Sequence, residues 1–310
     1  MICLRKAVTE YLTMRRSLGF KLRDMGYSLH HFVSFMEQEG ASIITVDLAL
    51  RWAQQPQGVQ PAHWARRLSF VRSFARYWSA IDHRTEIPPV GLLPYRSKRA
   101  TPYIYSDEEI ELLLKAAKNL PPSKSLRPYT YCTLFGLLTV TGMRISEIIR
   151  LDRDDIDLNQ KLLTVRMTKF NKSRMIPLHP STVENLKHYL QRRDQLYPRS
   201  SVSRFFLSNQ GIPLTDCMVR WTFVKISRQI GLRKIGDKNG PRIHDLRHRF
   251  AVTTLLNWYR NGVDVEQRLP VLSTYLGHAH VTDTYWYLSA IPELLALTKH
   301  RLEKRWEALS

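Results

Sequence analysis

Apolar residues recur at three- and four-residue spacing through most of this chain, the period of a helix with one buried face. In the first eighty residues the pattern is clear in AVTEYLTMRRSLGF and again in YSLHHFVSFMEQEG, where Gly40 supplies a helix stop. Thr45 stands where it can cap VDLALRWAQQ. HWARRLSFVRSFARYWSAI places Trp64, Leu68, Val71, Phe74 and Trp78 on one side, with Arg66, Arg67, Arg72 and Arg76 largely off it. Four helices and no strands are predicted, forming a small helical domain with an arginine-rich flank.

The texture then changes. HRTEIPPVGLLPYRSKRATPY carries four prolines and a basic cluster, which reads as a linker. Glu109 follows Ser106 by three residues at the start of SDEEIELL, the spacing of a capping box. The expected division is therefore a helical domain over 1–82, a linker over 83–102 and a second domain over 103–310. In that second domain, KLLTVRMTKFNKSRMIPL has β-forming residues on both sides of TKFNKS, as a hairpin with a basic tip would. STVENLKHYLQRRDQL, RIHDLRHRFAVTTLLNWY and PELLALTKHRLEKRWEAL return to the helical period, the last opened by Pro292. The fold class expected is mainly α with a small β-sheet or hairpin, an α+β chain in two domains.

Charge narrows the class of partner. Lys and Arg number 47 against 27 Asp and Glu, a net of +20. Residues 1–100 carry +8 of this and the remainder +12, so both halves are basic. Such an excess suits a polyanion, because each phosphate neutralised releases counterions. Cys3, Cys132 and Cys217 lie far apart without CxxC spacing, which fits a reducing compartment and no disulfide framework. MICLRKAVTEYL lacks a long apolar leader, and the apolar run from Cys132 to Val140 is too short to span a bilayer. The expected location is cytoplasmic, on the nucleoid, with no membrane partner.

Four segments carry polar chemistry that their neighbours do not explain. TGMRISEIIRL sets Arg144 just after a glycine, inside an otherwise apolar helix, with Glu147 three residues on, a spacing that also makes an ordinary local ion pair. The hairpin tip offers Lys169 and Lys172, which by themselves read equally as solvated turn lysines, with Arg174 just after. IHDLRHRF holds His244, Arg247 and His248, and the two histidines share the spacing of a zinc pair on a helix. LGHAHVTDTYWYLS holds His278, His280, Tyr285 and Tyr287. A reaction at a phosphodiester needs these types together. Arginine forks hold the non-bridging oxygens, histidine or lysine moves protons, and a tyrosine can attack and keep the phosphate as an ester.

In this order, TGMRISEI, the hairpin lysine, IHDLRHRF and LGHAHVTDTYWY resemble the boxes of the tyrosine recombinase (phage integrase) family over about residues 103–290. The first domain is similar in type to the family's helical, SAM-like core-binding domain, and the two domains together would form a clamp around duplex DNA. The resemblance implies that Arg144, Lys169, His244, Arg247 and His278 are catalytic. It also implies that the nucleophile comes nine residues after His278, at Tyr287, leaving Tyr285 to pack or to touch DNA. Glu147 would support Arg144, while Arg66, Arg67, Arg72, Arg76, Lys172 and Arg174 would contact DNA. Thr168 and Phe170 stand where the family usually has glycines, and NGVDVEQRLPVLSTYLGH is longer than the family norm.

The activity implied is cleavage and rejoining of double-stranded DNA through a 3′-phosphotyrosine, with neither metal nor other cofactor. The site would carry inverted repeats, and the protein would act as a homotetramer on DNA, with a second recombinase or accessory protein as possible partners. RRSLGFKLR is similar to recombinases of plasmids and transposable elements. The alternatives are a type IB topoisomerase-like relaxing activity and a catalytically silent DNA-binding protein. A metal-dependent nuclease built on His244, His248, His278 and His280 has only Asp245 and Asp283 as close carboxylates, fewer than two-metal sites use.

Overall fold

The helical periods of the first hundred residues fold as α1 (Leu4–Ser17), α2 (Arg23–Gln38), α3 (Val46–Gln54) and α4 (Pro61–Trp78). The computed structural model describes residues 3–96, 101–166, 173–198, 200–237, 240–289 and 292–307. Local chemistry sets the boundaries. Gly40, at φ +65°, follows the end of α2, and Thr45 Oγ1 accepts from Leu48 N at 3.3 Å to cap α3. The apolar faces meet in one core in which Phe32 packs edge-on against Trp52, with ring centroids 5.2 Å apart, beside Leu29, Val71 and Phe74. Burying each such side chain contributes about 1.5–3 kcal/mol. Part of the proline-rich stretch is held to these helices: Glu86 N donates to Ile44 O at 2.9 Å, and Leu93 packs against the core.

The chain divides by its contacts into Met1–Ala100 and Thr101–Ser310. The second unit opens with α5 (Asp107–Lys118), whose capping box is complete: Glu109 N donates to Ser106 Oγ at 3.2 Å and Ser106 N to Glu109 Oε2 at 2.9 Å. Then come α6 (Arg127–Thr141), the single turn α7 (Ile145–Ile148) and a short 3-10 turn (Arg153–Asp155). Strands β1 (Ile156–Asp157), β2 (Leu162–Val165) and β3 (Arg174–Pro177) follow. Helices α8 (Pro180–Leu196), α9 (Asp216–Gln229), α10 (Asp245–Arg260), α11 (Val265–Leu276), α12 (Thr282–Ser289) and α13 (Pro292–Glu307) complete it.

Among the described residues the strands make one antiparallel sheet in the order β1-β2-β3. The predicted hairpin is β2–β3, with Leu163 opposite Ile176 and Val165 opposite Arg174; β1 is an addition that its two-residue length hid. One core lies beneath α5, α6, α8, α9 and the sheet. A second, including Val252, Leu255, Leu269, Leu272, Leu276 and Tyr287, joins α10 to α13. The long segment before the Leu-Gly-His box is regular helix, α11, started by Asp264, which accepts from Glu266 N at 3.0 Å.

One expectation needs correction. Arg144 does not lie inside an apolar helix. Gly142 takes the left-handed conformation at φ +60° and ends α6, so Arg144 sits in extended backbone at the N-terminal boundary of α7. Lys169 and Lys172 fall outside the described residues. Among those that are described, no helix is long and apolar enough to cross a membrane.

Candidate active site

The site is assembled on the ends of two helices. Both α6 and α11 finish in a left-handed glycine, Gly142 at φ +60° and Gly277 at φ +68°. The last carbonyls of a helix lack intrahelical partners and carry partial negative charge, so they attract cations. Arg247, projecting from α10, donates to Gly142 O at 2.7 Å and to Leu276 O at 2.7 Å. Its guanidinium therefore links the two helix ends, and it is only 2% exposed. Burial, then the nearby charge of Arg144, brings its pKa down to about 10, which leaves it cationic at neutral pH.

Arg144 approaches from the other side. It donates from Nη2 to Gly277 O at 2.8 Å and from Nη1 to Glu147 Oε1 at 2.9 Å, while its backbone N donates to Glu147 Oε2 at 2.9 Å. The same carboxylate receives a second arginine. Arg174 on β3 donates to Oε1 at 3.1 Å and to Oε2 at 2.7 Å. Burial alone would push the Glu147 carboxyl upward, but the hydrogen bonds and charge of Arg174 and then of Arg144 outweigh it and hold the pKa below the ordinary value. Two guanidiniums share one carboxylate, and the Arg247 charge stands nearby on the two helix ends.

Tyrosine and histidines close the cluster. Tyr287 is 2% exposed and part of the α10–α13 core, whereas Tyr285 is 53% exposed. Two positions along a helix differ by roughly 200° in direction, so the two rings face opposite ways. The Tyr287 ring lies edge-on to His248, with centroids 5.5 Å apart, and stacks on His278 at 6.2 Å. An ionised Tyr287 oxygen would be stabilised by the nearby charge of Arg247. His278 is oriented by Thr284, its Nδ1 lying 2.7 Å from Thr284 Oγ1.

His244 stands at the start of α10, with its ring edge-on to His248 at 4.7 Å. Loss of hydration is the largest cause that lowers the pKa of His244, His248 and His278, each to about 4, and Arg247 contributes to all three. His244 retains exposed surface, so solvent screens part of this effect there. Asp245, 1% exposed, is held by Arg242 at 2.7 Å and lies 3.9 Å from His248 Nε2.

Arg144, His244, Arg247, His278 and Tyr287, expected together from the sequence, thus meet in one place with Glu147 among them. His280 is exposed outside this cluster. Of the arginines expected at DNA, Arg66 and Arg76 are exposed, with Arg66 paired to Asp24 at 2.5 Å. Arg67 lies over the Trp52 ring at 3.8 Å, and Arg72 donates to Pro88 O at 2.6 Å and Pro89 O at 2.7 Å. Those two side chains are committed to holding their own unit together.

Sequence reading placed Arg174 at the DNA surface, yet its side chain is 10% exposed and bound to Glu147. The two-residue period of β3 carried the signal, since Arg174 shares the face of buried Ile176. His248 also lines the cluster. Its i,i+4 partner is His244, but among the described residues no three His, Cys, Asp or Glu side chains are grouped to hold a metal ion.

Residues 104–293 match the phage integrase family. A putative integrase/recombinase, y4rB, of Sinorhizobium fredii is 50% identical over 311 residues, covering 99% of both chains. The tyrosine recombinase XerD of Staphylococcus haemolyticus is 31% identical over 232 residues, covering 74% of this chain and 72% of its own. Among solved structures, the Tn1549 transposon integrase in complex with transposon right end DNA overlays with a TM-score of 0.68 at 14% identity, over 98% of this chain and 99% of that one. The lambda integrase tetramer bound to a Holliday junction gives 0.59 at 19% identity, over 91% and 79%. These two likenesses establish the shared fold.

Proposed function

Because the chain belongs to the phage integrase family, we propose that it is a site-specific DNA recombinase working through a covalent 3′-phosphotyrosine. The observation that carries this reading is Tyr287, buried with its ring against His248 and His278 and within the field of the Arg247 charge.

The Tyr287 oxygen attacks the phosphorus of a DNA strand, the bond to the 5′-oxygen breaks, and a 3′-phosphotyrosine forms. Arg144 and Arg247 donate to the non-bridging oxygens as negative charge grows on them. Each such charge-assisted contact contributes roughly 1.5–3 kcal/mol, and more where the donors are already fixed in place. Both arginines are so fixed, by Gly142, Leu276, Gly277 and Glu147. Their forks also exceed what the carbonyls use, because a guanidinium has five N–H donors.

The tyrosine proton needs an acceptor. With a pKa lowered to about 4, His244 is neutral at pH 7 and can take it. Neutral His278 holds the phosphate by hydrogen bonding. Lys169 gives its proton to the departing 5′-oxygen. Attack by a 5′-hydroxyl from a second duplex then releases Tyr287 and rejoins the strand, so the ester conserves the bond energy throughout. Arg66 and Arg76 contact the DNA backbone from the helical unit. The working assembly is a tetramer on two inverted-repeat sites, acting in the cytoplasm on the nucleoid, and mobility of a DNA element is the biological outcome. The topoisomerase-like alternative gains no support from the relatives.

The direct test uses a nicked duplex carrying the sequence that the protein retains from a randomised DNA pool. The expected product is a protein–DNA adduct that resists denaturation and maps to Tyr287. A site cut cleanly with no adduct would sink the proposal.

A further inference from the structure

Arg174 carries an inference beyond the residues assigned so far, and it rests on the recombinase reading above. Arg144 stands on two acceptors, the Glu147 carboxylate and the Gly277 carbonyl. Arg174 bonds the first and lies against the glycine that bears the second. Its fork spans Glu147 Oε1 and Oε2, and the same two oxygens receive the Arg144 side chain and the Arg144 backbone N. Two parallel bonds fix the plane of a carboxylate where one would leave it free to turn. The Arg174 guanidinium also lies directly on Gly277: a Cβ added there would come within 2.8 Å of Arg174 Nη1 and 3.4 Å of Arg144 Nη1.

Arg174 is also the first residue of β3, opposite Val165 at the base of the β2–β3 hairpin. Lys169 lies in the stretch of sequence between those two residues. One side chain therefore joins β3 to the carboxylate that holds Arg144. A side chain 10% exposed, with both terminal nitrogens on a carboxylate, is poorly placed to serve as a DNA-backbone contact.

We propose that Arg174 is a positioning residue for strand cleavage, setting Arg144 through Glu147 and its packing on Gly277 and locking β3 to the arginine pair. It works through Arg144 and does not itself take the phosphate.

The experiment compares wild type, Arg174→Lys and Arg174→Met on the nicked duplex selected by the wild-type protein, with affinity and the single-turnover cleavage rate of the bound complex measured separately. Loss of position by about 1 Å costs on the order of 10²-fold in rate. Both variants are expected to bind within about threefold of wild type while the bound complex cleaves roughly 10²-fold more slowly. Arg174→Lys keeps the charge and loses the fork, so it separates geometry from charge and serves if Arg174→Met fails to fold. In Arg144→Lys, adding Arg174→Met should slow cleavage little further, because the residue acts through a partner already disabled.

Three results would overturn the proposal: a full cleavage rate in Arg174→Lys, additive losses in the double variant, or weakened binding with an unchanged rate in the bound complex. The last would make Arg174 a DNA contact, with the salt slope reduced by about one phosphate. A wild-type protein that forms no adduct, or a Tyr287→Phe variant that still does, would refute the recombinase reading instead, so the two failures stay distinct.

Discussion

Gly277 lies so close under Arg174 that a Cβ at that position would sit 2.8 Å from Nη1 and 3.2 Å from Cζ of the guanidinium. Gly277 also has φ +68°, where an L side chain is strained. Gly277→Ala should therefore lose stability by about 1–3 kcal/mol and also displace the two arginines, slowing cleavage at least tenfold. Gly231, φ +79° with open space around it, supplies the control. Gly231→Ala should show the strain alone, with cleavage unchanged. Equal cleavage losses in the two variants, read by single-turnover assay and urea unfolding, would show that contact with Arg174 is irrelevant.

Glu147 is 8% exposed at its side chain and holds two guanidiniums. Glu147→Gln keeps the shape but leaves two cations sharing a neutral acceptor. Removing one partner from a buried ion pair is strongly destabilising, on the order of 3 kcal/mol. Urea unfolding should show a loss of this order, accompanied by slowed cleavage. A stability within about 0.5 kcal/mol of wild type would mean that the carboxylate charge is not what holds the arginines.

Tyr287→Phe should bind the selected duplex as wild type does and form no adduct. Tyr285, exposed on the opposite side of α12, should tolerate the same change with adduct formation intact. The reverse outcome in a denaturing gel would move the nucleophile by two residues.

Acid should destabilise the catalytic unit in two stages. His248 faces Asp245, Arg242, Arg247 and His278, and His278 faces Arg247, Arg144, Asp283 and Arg174. Both histidines fall from an unfolded value of about 6.5 to about 4 in the folded chain. Between these limits the unfolded chain binds protons that the folded chain refuses, so stability drops as pH falls through this window. The slope is at most ~1.4 kcal/mol per pH unit for each histidine. Glu147, depressed in the folded state, adds a loss that begins only below its unfolded value of about 4.3. Denaturant unfolding at pH 7.5, 6.0 and 5.0 checks the sign, and a stability unchanged across that range would contradict it.

Much of this was legible in the sequence because the signals were local. The helix periods, the Thr45 cap and the Ser106–Glu109 box each lie within one or two turns of chain, and each appears in the fold as read. Arg144, Arg247, His278 and Tyr287 were found as an ordered set of boxes. What escaped depended on distant partners. Arg174 and Glu147 are 27 residues apart, and no local pattern announces their pairing. Arg67 and Arg72 looked like free surface charge, but their acceptors are the backbone oxygens of Trp52, Pro88 and Pro89. The break at Gly142 was hidden because TGMRISEI continues the apolar spacing across it, and only the Phe250 ring, 2.5 Å from where a Cβ would stand, shows how tightly that turn is packed.

The carbonyls that hold Arg247 and Arg144 belong to the main chain, and no point substitution can delete them. Their directions are set instead by where α6 and α11 stop. One residue inserted into either helix would turn its terminal oxygens by about 100° and advance them 1.5 Å, carrying them out of register with the guanidiniums. These carbonyl anchors, unlike the Glu147 carboxylate, thus cannot be lost to a side-chain change, but they are intolerant of changes in helix length. Insertions and deletions should therefore be absent from both helices and gather in segments that carry none of these residues.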